Sequence, residues 1–162
     1  MKVKILDCTL RDGGYYNNWN YSNEFVEKYI SAISKHVSII ELGLRLLKSD
    51  DFKGPLAFTK DKWLSRFTLP DNIEYSVMLN ASDFKDSSNI EADIDYLFPM
   101  NADKSSISLV RIATRYSDFL ILRKIIEFLI AKGFKVAINL MQISEYSNKE
   151  LNHICDEINI LS

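Results

Sequence analysis

Short apolar runs alternate along this chain with longer stretches whose apolar positions recur at helical spacing. The first run, Lys2 to about Cys8, reads as a strand. Ser22 then offers a cap to a helix whose apolar side is Phe25, Val26, Tyr29, Ile30 and Ile33. A second strand is expected over Ser38 to Leu42. After the Gly54-Pro55 break, Lys60 to Phe67 reads as a helix. Strand three is expected from Glu74 to Leu79, a short helix from Ile90 to Leu97, and strand four from Leu109 to Ala113. The next helix starts at Ser117 or Asp118, lines its buried side with Ile121, Ile125, Phe128 and Leu129, and ends at Gly133. Strand five is Lys135 to Met141. Ser147-Asn148-Lys149-Glu150 is a capping box opening a last helix with Leu151, Ile154, Cys155 and Ile158 inside. Ile158 to Leu161 reads alternatively as the approach to a sixth strand. Strand starts recur at about the length of one βα unit, roughly 30 residues. The pattern predicts an α/β fold with a parallel sheet, in one continuous domain without linkers.

The first strand ends unusually. Leu6-Asp7-Cys8-Thr9-Leu10-Arg11-Asp12-Gly13-Gly14 closes an apolar run with a cation, a carboxylate and two flexible residues. Arg11 can offer a fork of donors to an enolate or a carboxylate. Asp12 can supply a hard oxygen to a divalent cation. If the strand continues, Val3, Ile5, Asp7, Thr9 and Arg11 share one face, which grades from apolar to polar. That gradient suits a strand of a parallel barrel, with a packed floor and chemistry at its carboxyl end. Asp12 then has the wrong parity to join Arg11, so a bend at Gly13-Gly14 is expected to bring both to one site. The plain structural alternative is an Arg-Asp surface pair of little energetic worth.

Asp7 to Gly14 closely resembles the D-x-T-L-R-D-G signature of the DRE-type TIM-barrel metallolyases, the superfamily of 4-hydroxy-2-oxovalerate aldolases, hydroxymethylglutaryl-CoA lyases and isopropylmalate synthases. Tyr15-Tyr16-Asn17-Asn18-Trp19 is most similar to the aldolase-like branch. Further echoes are Ile40-Glu41-Leu42-Gly43-Leu44-Arg45, Val110-Arg111-Ile112-Ala113 and Ile138-Asn139-Leu140-Met141. The resemblance implies a partial TIM barrel, about five βα units of a (β/α)8 barrel. A whole barrel ordinarily takes about 250 residues, and this sequence has 162. Residues 1–162 are therefore expected to be the amino-terminal part of a longer, HMGL-like protein, inactive as a piece. The family's remaining metal ligands come from a His-x-His pair, which this sequence lacks.

For the intact parent the resemblance implies a metal-dependent aldolase or lyase acting on 2-oxo acids by carbon–carbon bond cleavage or formation. Arg11 is the catalytic group that stabilises the enolate. Asp12 ligates Mn²⁺ or Mg²⁺, which acts as a Lewis acid on the bound 2-oxo acid. The rival readings are an acyl-CoA condensing synthase of the isopropylmalate type and a non-catalytic half-barrel assembly module. Tyr15 stands where some aldolase relatives carry a catalytic histidine, so their proton-transfer step does not carry over. Tyr15 can still donate a hydrogen bond.

Substrate-binding or supporting roles fall on the other polar residues of the strand ends. Glu41 lies in an apolar strand, where an unpaired charge is expensive; it reads either as an acid, base or orienter, or as an ion-pair partner of Arg11 or Arg111. Arg111 either binds a substrate carboxylate or neutralises Glu41 or Asp7. Asn139 is expected to point into the same mouth, because a buried amide needs partners. Asp7 is expected to hold Arg11 or Thr9 in place through hydrogen bonds. Arg45 is either a mouth residue or surface. Tyr15, Tyr16, Trp19 and Tyr21 read as a lid or as packing at the rim.

The net charge of −2, with acids and bases interspersed, leaves no footprint for nucleic acid. Hydrophobic residues make up 47% of the chain, without a continuous span or signal peptide, so no membrane partner is expected. Cys8 and Cys155 form no CxxC pair, and the cytoplasm is the default compartment. His36 and His153 lack ligand spacing. An unclosed barrel leaves two sheet edges open, and a homo-oligomer joined through those edges is expected.

Overall fold

A computed structural model describes residues 3–161. Five parallel strands lie side by side in chain order: β1 (Leu6–Asp7), β2 (Ile39–Leu44), β3 (Glu74–Asn80), β4 (Leu109–Thr114) and β5 (Lys135–Leu140). The sheet curls into half of a barrel. Helices α1 (Thr9–Asn17), α2 (Asn23–Ile33), α3 (Asp61–Leu64), α4 (Ile90–Leu97), α5 (Phe119–Ala131) and α6 (Asn148–Leu161) occupy the connections and follow β5. Ile40, Val77, Leu79, Val110 and Ile112 are fully buried in the core that the helices cover. Glu41, Ser76, Met78, Leu109, Arg111 and Ala113 alternate onto the opposite, concave face.

A β-bulge between Glu41 and Gly43 interrupts this alternation. Before it, Glu41 stands beside Ser76; after it, Gly43 stands beside Val77 and Leu44 beside Met78. The extra residue reverses the parity of everything that follows. Gly43 is thereby turned against the turn Pro55–Ala57, where a Cβ would lie 2.0 Å from the Leu56 carbonyl oxygen. Arg45 is turned outward into the helical layer.

The main departure from expectation is at the amino end. β1 is short, and α1 begins at Thr9, so Thr9 and Arg11 have helical rather than strand placement. Asp7 is the cause: its carboxylate accepts from the Thr9 amide at 3.2 Å and from the Thr9 hydroxyl at 2.8 Å, satisfying an open helical donor. The Asp12 amide then donates to the Cys8 carbonyl at 2.8 Å, closing the first turn. The expected bend at Gly13-Gly14 is absent because both glycines lie inside α1. Gly14 instead leaves a notch for the Trp19 indole, whose Cδ1 a Cβ would approach to 2.0 Å. Lys2 lies outside the described residues.

Other differences are smaller. The helix expected over Lys60–Phe67 shrinks to the single turn of α3. Phe119, Leu122 and Ile126 join Ile125 and Leu129 on the buried side of α5, while Ile121 and Phe128 sit at its margin. Cys155 is exposed on α6, which continues through Leu161 and leaves no sixth strand among the described residues. Both sequence-marked caps form: Ser22 accepts from the Phe25 amide, and Ser147 and Glu150 cap each other reciprocally. No helix among the described residues is long and apolar enough to cross a membrane.

Candidate functional site

Four charged side chains meet where β2 and β4 carry the concave face past α1. Glu41 is wholly buried. Its Oε1 accepts from Arg11 Nε at 2.8 Å and from Arg111 Nη1 at 3.0 Å, and its Oε2 lies 3.0 Å from the same Arg111 nitrogen. Arg11 also pairs with its neighbour Asp12. Both readings of Glu41 as an ion-pair partner are thus realised together. With both oxygens engaged, Glu41 orients the two guanidinium groups.

The helical start, not a strand, brings Arg11 and Asp12 together. Arg11 has 13% of its side chain exposed and Asp12 has 53%. Burial disfavours the Arg11 cation, but Glu41 and Asp12 outweigh it and raise its pKa above the ordinary value. Trp19 donates from Nε1 to the Arg11 carbonyl at 2.8 Å, fixing the backbone that carries the guanidinium. Tyr15 stacks edge-on against Trp19 with 4.8 Å between centroids, and is 62% exposed. Of the aromatic run, Trp19 is core packing, and Tyr16 is almost fully exposed.

Asp7 belongs to a different layer. It holds Thr9 and accepts from the Tyr29 hydroxyl at 2.9 Å, reaching α2 rather than Arg11 or Arg111. Burial pushes the Tyr29 phenol up, which keeps it a proton donor. Tyr29 was legible only as an apolar-face residue of α2; a hydroxyl on that face was the available signal. Cys8 donates to Asp12 Oδ2 at 3.1 Å, and burial together with that carboxylate pushes its thiol up. It is a thiol here, not a thiolate nucleophile.

Asn139 stands beside Ala113 at the carboxyl end of β5, half-buried. It shares the face of Arg111 through register, without meeting the Glu41 cluster. Arg45 is neither mouth nor surface. It is 2% exposed, donates to Asp61 Oδ2 at 2.7 Å and to the Leu97 carbonyl at 2.6 Å, and lies 4.4 Å over the Phe98 ring. Burial pulls its pKa down, and Asp61 resists that pull. At the amino ends of the strands Glu74 bridges Lys135 and Lys4, which hold its carboxyl below the usual range.

Chemically, the Glu41 cluster can bind an anion. Each arginine spends part of its donor set on Glu41 and keeps further N–H groups. Metal binding needs more than these residues offer. Among the described residues no three His, Cys, Asp or Glu side chains come together around a possible cation, and both Asp12 oxygens are engaged, by Arg11 and by Cys8. The residues present do not constitute a metal site by themselves.

No family model matches the chain, and no curated protein does. Among solved structures it is similar to the N-terminal domain of a putative aldolase from Bacteroides vulgatus, with a TM-score of 0.85 and 26% identity. That likeness covers 99% of this chain and 52% of the other, so this chain spans about half the length of the structure it matches. The half-barrel is aldolase-like in fold.

Proposed function

We propose that this chain forms the anion-binding half of an aldolase or lyase active site for 2-oxo acids. The reading rests on one observation: a wholly buried carboxylate, Glu41, holds two guanidinium groups at the carboxyl-terminal side of a half-barrel. Parallel barrels carry their chemistry at that end. Arg11 is assigned to the enolate oxygen and Arg111 to the substrate carboxylate. Fixed donors of this kind stabilise developing negative charge without reorganising. Asn139 and Tyr15 border the same end and are assigned hydrogen bonds to substrate. Asp7 and Thr9 hold the first turn of α1, and so hold Arg11. The superfamily resemblance adds Asp12 as one oxygen ligand of Mn²⁺ or Mg²⁺, with the other donors supplied from elsewhere. Association of two copies along the edges of β1 and β5 belongs to the same proposal.

Oxalate, a planar mimic of enolpyruvate, tests the site. Titrated into the chain, it should shift the Nε resonances of Arg11 and Arg111 saturably. Arg111→Met should weaken that binding about tenfold, the loss of roughly 1.4 kcal/mol. Lys135→Met, at the other end of the strands, should leave it unchanged. Absence of saturation up to roughly 10 mM, an interaction weaker than about 3 kcal/mol, would remove the proposal.

A further inference from the structure

A second concavity, of about 520 Å³, opens on the helical side of the sheet and shares no residue with the Glu41 cluster. Its walls are Leu46, Phe58, Tyr96, Leu97, Pro99 and Met100, contributed by the chain just after β2, the turn before α3 and the end of α4 with the residues that follow it. That volume lies in the range of small-molecule sites, which are mostly apolar with a few placed polar groups. The polar groups here are unevenly charged. Lys60 and Lys62 line the groove, both exposed, and neither forms an ion pair with an acidic residue among the described residues. Lys60 Nζ stands 5.7 Å from the centroid of the Tyr96 ring, over one apolar wall.

Asp61 is the acid in the groove, and it does not answer the lysines. Its Oδ2 is bound from behind by the buried Arg45 guanidinium, and its Oδ1 accepts from the Ser105 hydroxyl. The charge of Asp61 is thus balanced from the interior, and the groove presents the two lysines as its net charge. An apolar trough with a doubly positive rim matches a molecule with an apolar body and one anionic end.

We propose that this groove is a binding site for a small amphiphilic carboxylate, with its hydrocarbon body against Leu46, Phe58, Tyr96 and Met100 and its carboxylate at Lys60 and Lys62. The apolar wall contributes through area removed from water. The lysines add a charge-assisted contact that a neutral analogue of the same length lacks.

The test is calorimetric titration of the 162-residue chain with hexanoate, octanoate and decanoate, and with decanol. Affinity should rise about fourfold for each methylene added, the factor corresponding to ~0.8 kcal/mol per buried CH₂. Decanoate should bind at least about tenfold more tightly than decanol, a hydrogen-bonded charge against a neutral group. The double variant K60E/K62E changes two exposed side chains and should cost decanoate about tenfold or more while leaving the thermal midpoint in place. Met100→Trp should block the trough. If Met100→Trp fails to fold, the lysine variant decides alone. Absence of saturable decanoate binding, equal affinity for decanol, or an unchanged dissociation constant in K60E/K62E would overturn the proposal.

Discussion

Glu41 and Arg45 stand four positions apart, and each anchors an arginine–carboxylate cluster, yet the clusters are built in opposite senses. At Glu41 the carboxylate is wholly buried and the guanidinium groups of Arg11 and Arg111 reach toward solvent from it. At Arg45 the guanidinium is sealed in: Nη2 donates to Asp61 and Nη1 to the Leu97 carbonyl, while the buried Nε has no partner among the described residues. One cluster keeps unspent donors at the carboxyl end of a half-barrel. The other consumes its charge in tying β2 to the end of α4. The bulge at Glu41–Gly43 separates them: without it, strict alternation would put residues 41 and 45 on one face. The same residue pair therefore leaves donors free on the concave side and acts as a fastening in the helical layer.

The largest effect should follow from breaking the fastening. Arg45→Met leaves Asp61 buried without its cation and the end of α4 without its donor. Removing one partner of a buried pair typically costs about 3–5 kcal/mol. Urea denaturation should show the midpoint falling at unchanged slope. A loss below about 1 kcal/mol would show that the Arg45 pair is no fastening, and the contrast would collapse.

The five strands and the two caps were legible because each rests on local periodicity or local hydrogen bonding. Ser22 and Ser147 satisfy amides three residues away, so sequence distance is enough. Arg45 was illegible for the opposite reason. A one-residue bulge leaves no mark in Ile39–Leu44 beyond a glycine, and it inverts the facing of all that follows. Helix α1 leaves no such signal, because apolar parity can be traced through Thr9 and Arg11, whereas the Asp7 carboxylate captures the Thr9 amide and the chain turns helical there. Glu41 showed its need for partners but not their number. That both Arg11 and Arg111 converge on it depends on β2, β3 and β4 lying in register, a long-range fact.

A moderate effect is expected on the platform. Glu41→Gln keeps the shape of the side chain and removes the charge that holds the two guanidinium groups. Hydrogen bonds involving a charged group contribute roughly 1.5–3 kcal/mol, and Arg11 and Arg111 can recover part of that from water. Stability should fall by less than in Arg45→Met, measured by the same denaturation. Loss greater than that of Arg45→Met would mean that the Glu41 cluster is the fold's main clamp, and its reading as an anion platform would fail.

The smallest stability effect belongs to Asp12, and it separates holding the fold from preparing the site. Asp12→Asn breaks a half-exposed pair with Arg11, a class of contact worth about 1 kcal/mol at most. Its chemical consequence should be larger than its energetic one. Asp12 accepts from the Cys8 thiol and helps, after burial, to hold that thiol above its ordinary pKa. With the carboxylate neutralised, less opposes ionisation, so the Cys8 pKa should fall and its thiolate fraction at a fixed mildly alkaline pH should rise. In a Cys155→Ser background, which removes the exposed second thiol, alkylation of Cys8 should quicken in Asp12→Asn and its pH profile should move downward. An unchanged profile would show that Cys8 does not sense Asp12. A stability loss matching Glu41→Gln would place Asp12 within the buried cluster, and a residue so committed to the fold would be a poor candidate for a ligand-facing role.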